Sequence, residues 1–224
     1  MEYAMYDFTD DIAIPAKVSI NGHTSPVWLQ GEWKNGEYAE FVRKNGCGHC
    51  CTAMALNLHG ITIDPHEEFS HCRKIWGEPR REEPFNEGNF MSVSGICKVL
   101  DSFGISAECY GVPEGETEKT GLHIENALLE GKQVILWSHP TEKLEPNPFS
   151  RGNHYVLAVG FTKDGKVLVA NSSRLGETKN GIQFTDIPTI CAVLYEGSSP
   201  LDYTWGRKNI EKNHIHNSGY VIVE

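Results

Sequence analysis

The spacing of apolar side chains changes character part-way along the chain. In the first half they recur at three- and four-residue steps, the period of an amphipathic helix. In the second half they form short continuous runs bounded by turn residues, the pattern of buried strands. Cys51–Leu58 is the first clear helix, and Gly60 stops it. Asp64-Pro65 opens a second, because Asp is a good cap and proline suits the first turn; Phe69, Cys72, Ile75 and Trp76 form its apolar stripe. Ser92–Phe103 is a third, with Val93, Ile96, Val99, Leu100 and Phe103 inward and Gly104 as its stop. Leu122–Glu130 is a fourth, ended by Gly131. Residues 77–90 are charged and carry Pro79, Pro84 and Gly88, so they read as a loop; Gly111–Thr120 reads as a polar linker.

Val18-Ser19-Ile20 and Val27-Trp28-Leu29 flank Asn21-Gly22, a hairpin signal. Ile105–Tyr110, Val134–Trp137, Tyr155–Phe161 and Val167–Ala170 are strands, the last two joined through the Asp164-Gly165 turn. Ala192–Tyr195 and Tyr220–Val223 read as two more. Helices come first and a mainly antiparallel sheet second. That order predicts an α+β domain in two layers, not a doubly wound α/β fold. No linker separates two cores, so residues 1–224 read as a single domain.

Charge and cysteine usage narrow the function. The 224 residues carry 20 Lys plus Arg against 30 Asp plus Glu, a net charge of −10. Binders of nucleic acid or anionic membrane need a cationic footprint, which excludes both as general roles. No apolar run approaches the length of a membrane span. Seven cysteines leave at least one thiol unpaired, and three of them crowd together at 47, 50 and 51. This is the usage of a reduced compartment with one thiol available for chemistry. The start, Met1 to Asp7, lacks the basic-then-apolar layout of a signal peptide, so the expectation is a cytoplasmic location, with a secreted form whose signal has been trimmed as the alternative.

Asn45-Gly46-Cys47-Gly48-His49-Cys50-Cys51 lies at the head of the first helix. Free N–H groups and the helix dipole there favour a thiolate, which predicts a lowered thiol pKa. The two glycines are expected to allow a sharp turn and a close substrate approach. Cys47 is the candidate nucleophile, Cys50 the second choice, and Cys51 a buried helix residue. Cys47-Gly-His-Cys50 is also the dithiol spacing of thioredoxin-like oxidoreductases, but neither a buried strand nor a βαβ pattern precedes it. A zinc site drawing on Cys47, Cys50, His71 and Cys72 lacks a second matched pair.

A cysteine nucleophile needs a base, and the base an orienter. His154 sits where the polar Arg151-Gly152-Asn153 loop becomes a buried strand, a rigid mount at a strand mouth. The next strand ends at Asn171. Residues 154 and 171 lie about equally far from the turn near 163–164, so antiparallel pairing brings them together. An Asn amide oxygen there accepts the Nδ1 proton and fixes the tautomer. His139, His214 and His216 read as surface residues.

These blocks resemble a family. Gly46-Cys47-Gly48, Ala53-Met54 and Gly60 are similar to the nucleophile helix of bacteriocin-processing-like (double-glycine peptidase-like) cysteine peptidases of the papain superfamily. Asp64-Pro65 through Trp76, and Gly88 through Ile105, look like the second and third helices. Leu128-Leu-Glu-Gly131-Lys-Gln-Val134-Ile-Leu136 resembles the "Gly-x-Pro-Val-Ile" strand, with Gln133 where proline is usual. Gly152-Asn-His154 through Gly160, then Gly165 through Asn171, resemble the histidine strand and the strand after it. The resemblance covers roughly residues 28–195, leaving 1–27 as an N-terminal β extension and 196–224 as a C-terminal segment.

It implies a papain-like fold, a helical half with the nucleophile cysteine packed on a mainly antiparallel sheet. It further implies Cys47 as nucleophile, His154 as base and acid, and Asn171 as orienter, where Asp is common among these relatives. The family's oxyanion glutamine stands six residues before the cysteine in papain, a place held here by Phe41; Gln30, in Leu29-Gln30-Gly31-Glu32-Trp33, is the candidate. The papain register would instead select Cys50, but Gly46 and Ala53-Met54 fit the other register and no Trp follows Cys50. The expected function is a cysteine peptidase or amide hydrolase acting through a thioester acyl-enzyme, with a peptide or other amide substrate and neither metal nor organic cofactor. The alternatives are an acyltransferase or transpeptidase on the same triad, an inactive peptide-binding homologue, and the dithiol oxidoreductase.

Overall fold

The computed structural model describes residues 2–7, 15–33, 39–76, 92–140, 143–144, 146–173, 180–198 and 219–224. Three short strands open the chain: β1 (Met5–Asp7), β2 (Lys17–Ile20) and β3 (His23–Pro26), an antiparallel sheet in that order. The Asn21-Gly22 turn is where the sequence puts it, but β3 begins at once at His23, so the partner strand is 23–26 and not 27–29. A single turn of 3-10 helix at Gln30–Glu32 follows. Then come four helices, α1 (Ala39–Asn45), α2 (Cys47–Leu58), α3 (Pro65–Trp76) and α4 (Val93–Ser102). The remaining elements are β4 (Ala107–Tyr110), α5 (Thr117–Leu129), β5 (Gln133–Ser138), β6 (His154–Phe161), β7 (Val167–Asn171), β8 (Ile182–Thr185), α6 (Ile187–Ala192) and β9 (Tyr220–Val223).

The large sheet runs β4-β9-β5-β6-β7-β8 and is antiparallel throughout. The fold is α+β. β9 pairs with both β4 and β5, so the end of the chain supplies an internal strand. Both faces of the sheet are covered. Ile135, Leu157, Val159, Leu168 and Val221 pack with Met54 of α2 and Val99 of α4 on one side. Val134, Val156, Ala158, Val169 and Ile222 pack with Ile124 and Leu128 of α5 and Ile190 of α6 on the other. The expected two layers are therefore three. The physical reason is already in the strands: a run such as Val134-Ile-Leu136 has no polar residue to offer to water on either face.

Several elements depart from the sequence reading. α1 is seven residues long, three of them charged, and buries only Val42, so its periodicity is too faint to read. α5 begins at Thr117, inside the expected linker. Ala192–Tyr195 is not a strand: Ala192 closes α6, whose start is set by Asp186, which caps the Thr189 N–H at 2.8 Å, and by the proline after it. On α3, Phe69 and Cys72 are buried while Ile75 is 44 % exposed, and the buried Glu68 shares the face of the two buried residues. His139 is buried against Trp137 rather than on the surface. The expected loop 77–90, and His214 and His216, lie outside the described residues.

Candidate active site

Cys47 is the first residue of α2. The chain reaches it through Gly46, where a Cβ would lie 2.5 Å from the Val42 carbonyl oxygen and 2.7 Å from its Cα. Gly46 thus serves the close stacking of α2 on the end of α1; its φ of −88° asks for no special turn. Cys50 and Cys51 lie one turn further on, fully buried. Beneath them, Phe41 and Phe69 stack at 4.8 Å, and His49 meets Phe69 edge-on at 4.8 Å.

The segment carrying Gln30 is fixed from both sides. The Gln30 N–H donates to the Ser172 carbonyl at 2.9 Å, and Trp28 meets Trp33 edge-on at 5.8 Å, both packed against Val42, Cys50 and Phe69. Gln30, Cys47, His154 and Ser172 line one open groove of about 320 Å³ between the helices and the sheet. Three of the four expected site residues therefore face a shared space, and the fourth, Asn171, stands directly behind His154.

His154 begins β6 opposite Ser138, whose Oγ donates to the His154 carbonyl at 3.0 Å. Asn171 pairs with Val156, because the register between β6 and β7 shifts between Ala158 and Gly160. His154 and Asn171 are thus diagonal neighbours on one sheet face, within side-chain reach. His154 Nε2 lies 2.9 Å from Asn171 Oδ1. The contact uses Nε2 and not the expected Nδ1.

The orientation of the Asn171 amide follows from its other partners. Nδ2 faces two acceptors, the Phe149 carbonyl at 2.9 Å and Gln183 Oε1 at 2.8 Å, while Oδ1 also accepts from the Ser173 N–H at 2.8 Å. Oδ1 can only accept, so Nε2 is the protonated nitrogen of neutral His154 and Nδ1 is the basic one. Gln183 Nε2 in turn donates to the Pro148 carbonyl at 2.9 Å. His154, Asn171 and Gln183 step across β6, β7 and β8 as one hydrogen-bonded chain. Sequence reasoning missed Gln183 because it missed β8; the signal was Ile182-Gln-Phe-Thr185, β-favouring residues after Gly181.

The charge state of the pair departs from expectation. Burial pushes the Cys47 thiol up, although its own N–H and those of Tyr155 and Gly48 pull the other way. Burial lowers His154 to about 4, against the favourable bond to Asn171. The helix terminus does not outweigh desolvation, so the resting pair is a neutral thiol and a neutral imidazole. Burial raises Cys50 and Cys51 well above the thiol range, which is the opposite of what a nucleophilic or dithiol cysteine needs.

A second buried cluster lies behind α2. His49 Nδ1 is 2.6 Å from Glu68 Oε2, and the Cys72 thiol donates to Glu68 Oε1 at 3.2 Å. These are hydrogen-bond distances, and they satisfy a carboxylate that burial would otherwise strand. His71, considered for zinc, instead contacts Ser102 Oγ at 3.0 Å. No helix of the described residues is long and apolar enough to cross a membrane.

Residues 27–186 match the Peptidase_C39 like family. The chain belongs to this family. It is therefore a papain-superfamily member at the level of cysteine peptidases. The match to the Peptidase_C39-like family contains Gln30, Cys47, His154, Asn171 and Gln183, and leaves β9 outside. No curated protein matches the chain.

Proposed function

We propose that the protein hydrolyses a peptide or related amide by acyl transfer to Cys47. What carries this reading is the shared groove: Cys47 and His154 face it together, and the Asn171 contact leaves the basic Nδ1 of His154 for the thiol. Nδ1 takes the Sγ proton as sulfur attacks the substrate carbonyl carbon, and the carbonyl π pair moves to oxygen. The side-chain amide of Gln30 and the Cys47 N–H donate to that oxyanion. The tetrahedral adduct collapses, the C–N bond breaks, and His154 gives its proton to the leaving amine. Water, deprotonated by His154, then attacks the thioester and restores the thiol.

A neutral resting pair suits this sequence, since charge separates only as the new bond forms. The participation of β9 in the large sheet supports reading residues 1–224 as one domain. The test is labelling by an electrophilic peptide probe together with hydrolysis of a peptide library. Cys47→Ala should abolish both, and His154→Ala should greatly weaken both. Loss of labelling in Cys50→Ala but not in Cys47→Ala would overturn the reading. An added amine that accumulates as a conjugate would identify transfer in place of hydrolysis.

A further inference from the structure

The groove beside Cys47 is positively charged in a protein that is otherwise acidic. Arg43 and Lys44, in the last turn of α1, line it, and no described lining residue carries a carboxylate. Apart from Cys47 and His154, the rest of the lining offers only amides, hydroxyls and a glycine. Over the whole chain the balance is the reverse, 30 acidic against 20 basic residues.

Basic residues at a helix C-terminus complement the dipole, which accounts for their place in the last turn. It does not account for their facing the groove. Glu40 Oε1 takes Lys44 Nζ at 2.7 Å, both groups largely exposed, and Glu40 also feels Arg43. Glu40 is not itself a lining residue; the described lining holds two cations and no carboxylate, and so carries a net positive charge. The wall is also fixed relative to the thiol, because the Gly46 contact seats the end of α1 on the start of α2.

We propose that this groove selects peptides bearing a carboxylate, which Arg43 and Lys44 hold beside Cys47. The proposal rests on Cys47 being the acyl acceptor. Against a repelling overall charge of −10, a local cationic wall favours the docking of an acidic peptide in this groove. The carboxylate can come from a Glu or Asp side chain or from the peptide's own C-terminus.

The experiment uses Cys47→Ala protein and three fluorescent peptides read by anisotropy. One carries internal Glu and a C-terminal amide. One carries Gln in their place and a free C-terminus. One carries Gln and the amide. At low salt, one of the first two should bind about five- to tenfold tighter than the third. The gap should close as salt is raised. It should also collapse towards one in the Arg43→Gln/Lys44→Gln variant, whose folding is checked by circular dichroism. Which peptide gains identifies the source of the carboxylate. Equal binding of all three, no binding by any, or a gap that survives the double variant overturns the proposal.

A second measurement needs no peptide. The rate of Cys47 alkylation by anionic iodoacetate, relative to neutral iodoacetamide, should fall several-fold in the double variant. An unchanged ratio counts against the cationic wall. Failure of both reagents to modify Cys47 counts against Cys47 as nucleophile, while the anisotropy arm still decides the charge preference.

Discussion

His154 Nε2 and Asn171 Oδ1 lie 2.9 Å apart, and the amide is oriented by three further partners, so it fixes which ring nitrogen holds the proton. Asn171→Ala frees the ring and should lower kcat roughly 100-fold, the scale of a misplaced catalytic group. Asn171→Asp keeps an acceptor for Nε2 but turns two donations, to Phe149 and Gln183, into contacts between acceptors. It should cost about 1–3 kcal/mol of stability by urea unfolding. The new carboxylate should also raise the His154 pKa, moving the acid limb of kcat/KM upward.

The lowered pKa of His154 links stability to pH. Its native value is about 4 against an ordinary 6.5. Between those values the unfolded chain binds a proton that the native state does not. Stability from this group is therefore complete above about pH 6.5 and is lost as the pH falls to about 4. The total is roughly 3 kcal/mol. Urea midpoints at pH 7.5, 5.5 and 4.5 should fall more steeply for the wild type than for His154→Gln. The acid limb of kcat/KM should lie near pH 4, with the imidazole still neutral at pH 5.

Cys47 is raised from an ordinary thiol value of 9.0 because burial outweighs three N–H donors. Its alkylation by iodoacetamide should keep rising with pH beyond 9 and show no plateau at neutral pH. A plateau near pH 4–7 would mean a thiolate–imidazolium pair at rest.

The pairing of His154 with Asn171 was legible because His154 opens and Asn171 closes two strongly apolar strands joined by a Gly turn. The diagonal geometry was not, because it depends on the register shift between Ala158 and Gly160, which leaves no mark in composition. Gln30 and Cys47 were legible from the motif around each, whereas their meeting in one groove is tertiary. Arg43 and Lys44 lie in a stretch of sequence with no strong periodicity: only the stacking of α1 on α2 turns them towards the thiol. The thiol pKa was misjudged because helix-end effects are local and visible in sequence, while desolvation is set by what packs from elsewhere.

Gln183 holds Asn171 through Oε1 and is itself held by the Pro148 carbonyl. Gln183→Leu leaves Asn171 Nδ2 with one acceptor fewer and Pro148 without its donor. kcat should fall, by less than the roughly 100-fold expected for Asn171→Ala, with little change in KM. Gln183→Glu keeps an acceptor for Asn171 and should recover part of kcat. A purely structural role would move urea midpoints in both variants without separating kcat from KM.

Gly46 lets α1 and α2 meet at a distance no side chain allows. A Cβ there would lie 2.5 Å from the Val42 oxygen, 2.7 Å from its Cα and 2.7 Å from its Cγ1. Two of those atoms are backbone, so the clash cannot be relieved by a rotamer change and α2 must shift. Gly46→Ala should cost about 1–3 kcal/mol of stability, as overpacking does. The start of α2 carries Cys47, so the same shift should slow labelling of that thiol even under conditions where the variant is fully folded. Gly152→Ala is the control: nothing lies within 4 Å of its added Cβ, so it should stay within about 0.5 kcal/mol of wild type. Equal labelling rates in folded Gly46→Ala and wild type would mean that the thiol's position does not depend on the contact between α1 and α2.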